Sequence, residues 1–160
     1  MKKNFSLGIA TILFAIISFT ISSCSTDKCK GVTCQNGGTC VNGNCNCASG
    51  YEGTSCQTKA NAKFVGTYNG NLTCDGASPS ADAYSVIAGT SPLAIIINQN
   101  GTATLLAASV SNMNISIPSQ DISGATFSGS GTLNGNNITL NITFDDNAGN
   151  ISHCTFTGTK

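Results

Sequence analysis

Six of the nine cysteines fall in one stretch of 28 residues: Cys29, Cys34, Cys40, Cys45, Cys47 and Cys56. No other feature of the sequence restricts the fold as much. The stretch, CKGVTCQNGGTCVNGNCNCASGYEGTSC, carries few large apolar side chains. A segment this short cannot bury a core sufficient to hold it together, so covalent cross-links must supply the stability. Disulfides are rare where thiols are kept reduced, so an oxidising compartment is expected. Six cysteines admit fifteen connectivities, and spacing alone does not choose among them. Asn36-Gly37-Gly38 and Asn42-Gly43-Asn44 are turn sequences that tolerate positive φ. Gly50 and Gly53 let the chain bend around Tyr51, the expected packing residue of the module.

The first residues read as an export signal. Lys2 and Lys3 are followed by an almost unbroken apolar run from Phe5 to Ile21, then Ser22, Ser23 and Cys24. Charged, apolar, small is the order of a secretory signal, here expected as a signal helix over residues 1–23. The run is also nearly long enough to cross a bilayer, so an uncleaved anchor or a simple secreted form is the alternative. Ile21-Ser22-Ser23-Cys24 resembles the lipobox of bacterial lipoproteins. That resemblance implies acylation of Cys24, cleavage just before it, and a lipid anchor in the cell envelope, at the outer membrane or cell surface. Residues 24–28 would then be the anchor linker.

The spacing C-x4-C-x5-C-x4-C-x-C-x8-C, with Gly37-Gly38 before the third cysteine and Gly50-Tyr51-Glu52-Gly53 before the last, resembles an EGF-like domain over residues 29–56. The resemblance implies the pairs Cys29–Cys40, Cys34–Cys45 and Cys47–Cys56. Calcium-binding members of that family carry an acidic and amide cluster before the first cysteine. Here only Asp27 is acidic and Lys28 adds a cation, so no calcium is expected. Zinc at Cys45-Asn46-Cys47 is not expected either, because paired C-x2-C units are missing.

Residues 57–62 read as a polar linker and residues 63–160 as an all-β domain. Ile138 to Phe144 alternates apolar with Thr and Asn without a break, one face buried and one wet. Phe64 to Cys74 alternates with Phe64, Tyr68, Leu72 and Cys74 in phase, and Asn114 to Ile117 does so briefly. Leu93 to Ile97 is nearly continuous apolar and suggests cover on both faces. Asn100-Gly101 and Asn134-Gly135-Asn136 are hairpin turns. About eight strands with turns every ~10 residues predict an antiparallel meander barrel or a sandwich. Cys74 and Cys154 lie in phase with Leu72 and Phe156, in the first and last strands, which are neighbours in a closed up-and-down barrel. A Cys74–Cys154 bridge is therefore expected. An immunoglobulin-like sandwich also staples two strands, but packs a Trp on the bridge, and this chain has no Trp. The short turns favour the barrel. The domain diffusely resembles lipocalin-like β-domains that follow the anchor of bacterial lipoproteins.

Chemistry is sparse. Charged residues are 9% of the chain, which excludes a basic nucleic-acid footprint. From Cys24 onward five lysines face seven acids, a net −2, and no field that would steer a charged partner is expected. His153, the single histidine, precedes Cys154 on an alternating strand and should face solvent. Asp145 to Asn150 resembles a calcium loop only loosely and lacks a closing Glu. No catalytic residue, cofactor or metal is expected. The expected function is a non-enzymatic, lipid-anchored envelope protein. The EGF-like module would be a spacer or protein-contact unit, and the β-domain would contact another protein or a glycan. The alternative is a carrier of a small apolar ligand in a barrel lumen lined by Phe64, Tyr68, Leu105, Ile115 and Phe144. The ninth cysteine is accounted for by Cys24.

Overall fold

The structure, a computed structural model, describes residues 27–160. The expected signal segment 1–23, the lipid-attachment residue Cys24 and residues 25 and 26 of the anchor linker lie outside the described residues. The protein is mainly β. A disulfide-rich module contains β1 (Thr39–Val41) and β2 (Asn44–Asn46), paired antiparallel, and β3 (Tyr51–Glu52), paired with β4 (Thr58–Lys59). The β1–β2 turn uses Asn42 and Gly43 at φ 53° and 88°, the doubly positive conformation that suits a two-residue hairpin. Disulfides join Cys29 to Cys40, Cys34 to Cys45 and Cys47 to Cys56. Of these residues only Cys56 is fully buried; Tyr51 is half-buried and does not form a core, because the module has too little apolar surface to build one.

Eight strands follow: β5 (Gly66–Cys74), β6 (Ser80–Ala88), β7 (Ala94–Gln99), β8 (Leu105–Ser111), β9 (Asn114–Ile122), β10 (Ala125–Asn134), β11 (Asn137–Asp145) and β12 (Ile151–Thr159). Each pairs antiparallel with the next, and β12 returns to pair with β5, closing an up-and-down barrel. The first strand begins later than its alternation suggests. Phe64 lies in a single-turn 3-10 helix, Ala62–Phe64, that turns its ring under the barrel.

The up-and-down order gives the barrel two distinct ends. At the base lie the start of β5, the end of β12 and the β6–β7 loop. At the mouth lie the end of β5 and the start of β12. The base is solid. Phe64, Tyr68, Ile97, Leu140 and Phe156 are completely buried there, and the Tyr68 hydroxyl donates to the Phe64 carbonyl at 2.8 Å. Gly70 and Gly158 face each other across the β5–β12 seam. A Cβ on Gly158 would strike the Phe156 ring, so this glycine leaves room for the aromatic filling. Lys160 closes the base, donating to the Lys63 and Val65 carbonyls at 2.6 and 2.9 Å.

The module packs on this base. The segment read as a linker carries β4 and the buried Asn61, whose Nδ2 donates to the carbonyls of Ser91 and Ala94 at 3.0 and 2.7 Å. A Cβ on Gly50 would meet Pro92 at 2.8 Å and Leu93 at 3.2 Å, so only a glycine lets the module approach so closely. Lys63 pairs with Glu52 at 2.8 Å.

Candidate apolar cup at the barrel mouth

Alternation sends every second side chain inward, and the lumen changes character along its axis. Toward the mouth it opens into a cavity of about 400 Å³. Leu72, Leu106, Phe127, Ile142 and Phe144 form most of its wall, Tyr84 contributes its ring, and Gln99, Thr104 and Ser152 add polar edges. Tyr84 packs on Phe156 with ring centroids 4.5 Å apart, which makes the floor of the cup. Phe127 and Phe144, directly paired across β10 and β11, stand edge-on at 5.2 Å.

The β8–β9 seam helps the mouth stay open. Only Ser109, Val110 and Ser111 pair with β9, all near the base. Farther up, Pro118 has no N–H to offer, and β9 carries an irregularity against β10 between Phe127 and Gly129. The Gln120 side chain spans the gap, accepting from the Ala107 N–H and donating to the Ala107 carbonyl, both at 2.9 Å.

Of the five lumen candidates read from the sequence, Phe144 lines the cup. Phe64, Tyr68 and Ile115 are inward but belong to the packed interior. Leu105 is a correction. It is 55% exposed on the outer wall, and its neighbour Leu106 points into the cup. Two adjacent leucines carry no phase of their own; Ala108 and Val110, both buried, fix the inward register of β8. The β7 run is likewise one-sided: Ile95 and Ile97 are buried while Ile96 is partly exposed. Tyr84, Phe127 and Ile142 were missed. Ile142 lies in phase with Phe144 and was legible; Phe127 follows Ala125-Thr126 with no such pattern.

Cys74 and Cys154 are bonded, pair directly across the β5–β12 seam, and line the cup. Beyond the bridge, the His153 N–H donates to Asp75 at 2.9 Å, and this backbone hydrogen bond is the main cause holding the Asp75 carboxyl below its usual value. His153 is exposed on the outer wall, its Nδ1 3.2 Å from the Thr143 hydroxyl. The Asp146 carboxylate accepts from Asn150 and Ala148 of its own turn, which lowers its pKa and ties it to the loop. Burial pushes the Tyr84 hydroxyl up to about 12, with the Asp82 carboxylate adding to the effect.

The charges are sorted along the barrel axis, a separation that the net −2 read from the sequence does not display. Asp75, Asp82, Asp121, Asp145 and Asp146 all lie at the mouth end of their strands or in mouth loops. Among the described residues every lysine (28, 30, 59, 63 and 160) lies in the module or at the base. The formal charge is thus −5 at the mouth, and five lysines less Asp27 and Glu52 leave +3 at the other end. A net charge of −2 conceals this separation, because a sum carries no information about position.

No family model matches the chain, and no curated protein matches it.

Proposed function

We propose that this is an exported, lipid-anchored envelope protein without enzymatic activity, in which a barrel carries a small apolar ligand. Cys24 would hold the anchor, the EGF-like module would be a short pedestal, and the cup would be the binding site. One observation carries the reading: the cavity opens at the end of the barrel opposite the module. The five links from Cys24 to Cys29 reach at most ~18 Å, so an anchored module keeps the base toward the membrane and the mouth away from it. Four disulfides support an oxidising compartment. The +3 charge at the module end suits an anionic leaflet. A cavity of about 400 Å³ with mostly apolar walls falls within the usual size range of small-molecule sites.

Mass spectrometry of the mature N-terminus tests the anchor: acylated Cys24 is expected, and an unmodified Ser25 or retained Met1 would end that part of the reading. Organic extraction of the purified protein tests the carrier, with a stoichiometric apolar small molecule expected. A second reading, a protein-contact domain, draws on Ile87, Ile96 and Leu105, which leave an apolar strip on the outer wall of β6–β8. Cross-linking in envelopes through residues on that strip would favour it over the carrier.

A further inference from the structure

The cup is apolar, yet it is ringed by carboxylates. Five aspartates surround the mouth and, among the described residues, no lysine lies at that end. Asp82 is tied to the cavity wall through a side-chain hydrogen bond. It is half-buried on an inward-facing position of β6, two residues before Tyr84, and accepts from Gln99 Nε2 at 2.6 Å. Gln99 itself lines the cavity. A separate observation points to a ligand. The Tyr84 side chain is 4% exposed, lines the cup, and its hydroxyl makes no hydrogen bond with the described residues. The one buried side-chain polar atom left without a partner among the described residues is Asn61 Oδ1, so the Tyr84 oxygen is not sealed in but keeps access to the cavity, where a phenol can both donate and accept.

We propose that the cup selects apolar ligands with a cationic head, such as protonated amines, and rejects carboxylates of the same shape. The apolar body fills the space between Leu106, Phe127, Ile142 and Phe144. The ammonium sits at the rim among the aspartates, where an N–H reaches the Tyr84 oxygen or Asp82. Phe127 and Phe144 offer ring faces that favour a nearby cation and disfavour an anion. A carboxylate head would lie in the field of five like charges, with no lysine at that end among the described residues and only the exposed His153, on the outer wall, as a basic side chain. The volume equals that of roughly a dozen water molecules, which sets the size of the body at about one aromatic ring with a short chain. This inference rests on the carrier reading, and deepens it by fixing the head group.

The test uses three water-soluble molecules that differ only in the head: 4-phenylbutylamine, 4-phenylbutanol and 4-phenylbutyrate. Binding to the purified full-length protein is followed at neutral pH by calorimetry and by methyl NMR shifts of Leu106 and Ile142. At ~20 mM salt the amine should bind at least about tenfold tighter than the carboxylate, with the alcohol between them. The margin should shrink to below about threefold at ~0.5 M salt, where screening acts within a few ångströms. Asp82→Asn, whose fold is checked by circular dichroism, should narrow it as well. Equal binding of all three, or tighter binding of the carboxylate, would overturn the head-group selection and leave the carrier reading standing. Absence of binding by all three, or shifts confined to the outer wall, would overturn both.

Discussion

The Cys74–Cys154 bridge offers the sharpest quantitative test of how the barrel is held. It joins residues separated by 80 positions, against separations of 11, 11 and 9 for the module bridges. In the chain-entropy account a cross-link stabilises by confining the unfolded chain, with a logarithmic dependence on loop length. For a loop of this size the term is about 4.5 kcal/mol, and for each module loop about 2.8 kcal/mol. Cys74→Ala/Cys154→Ala should leave the native barrel in place. The two strands keep their pairing from Thr73↔Thr155 down to Asn69↔Thr159, and Asp75 still bonds the His153 backbone. The double variant should therefore lose about 4.5 kcal/mol with an unchanged denaturant slope. With an unfolding entropy near 2.1 cal/mol/K per residue over a barrel of about 100 residues, Tm should fall by about 20 °C. The urea midpoint should fall by about 2 M if the slope is about 2 kcal/mol/M. Reversible unfolding followed by far-ultraviolet circular dichroism, with the module bridges oxidised, measures both. A loss below about 1 kcal/mol would refute the reasoning, because it would mean that the unfolded chain is already confined without the bridge.

Other substitutions and conditions probe the same structure. Gly70→Val should prevent folding, since a Cβ there would collide with the Thr157 carbonyl across the seam; loss of the β signal in circular dichroism checks it. Burial pushes the hydroxyls of Tyr68 and Tyr84 up to about 12. Raised folded-state values mean that the stability tied to the neutral phenols is complete below pH 10 and is lost as pH rises through about 12. Absorbance at 295 nm should show two of the three tyrosines ionising only there, coincident with alkaline unfolding. Asp75 behaves in the opposite sense: hydrogen bonds from the His153 backbone and Ser152 lower its pKa from 3.8. Its contribution is present above that value and lost as pH falls through the lower folded-state value, so Asp75→Asn should flatten the acid limb of the urea midpoint.

Much of this architecture is written in local patterns. Ile138 to Phe144 shows its inward face residue by residue, and Cys74 and Cys154 disclose through their phase that the first and last strands meet. The cup is less legible. Leu105 and Leu106 differ only by the register that Ala108 and Val110 impose, and a small alanine is a weak marker of an interior face. Tyr84 gains its role from the floor made with Phe156, a contact 72 positions away in the chain. The axial separation of charge is invisible to composition. It emerges only when an up-and-down course sends alternate loops to opposite ends.

The amide of Gln120 has a consequence for solubility. Closing a sheet on itself normally removes the exposed backbone edges that other chains could extend, and this protection needs every seam to be sealed. Here the upper part of β8 is sealed by a single side chain, next to the exposed Leu105. Gln120→Leu should free the Ala107 N–H and carbonyl and turn β8 into a template for intermolecular strand addition. The variant should stay folded in dilute solution and form thioflavin-positive aggregates as its concentration rises, while the parent protein remains monodisperse.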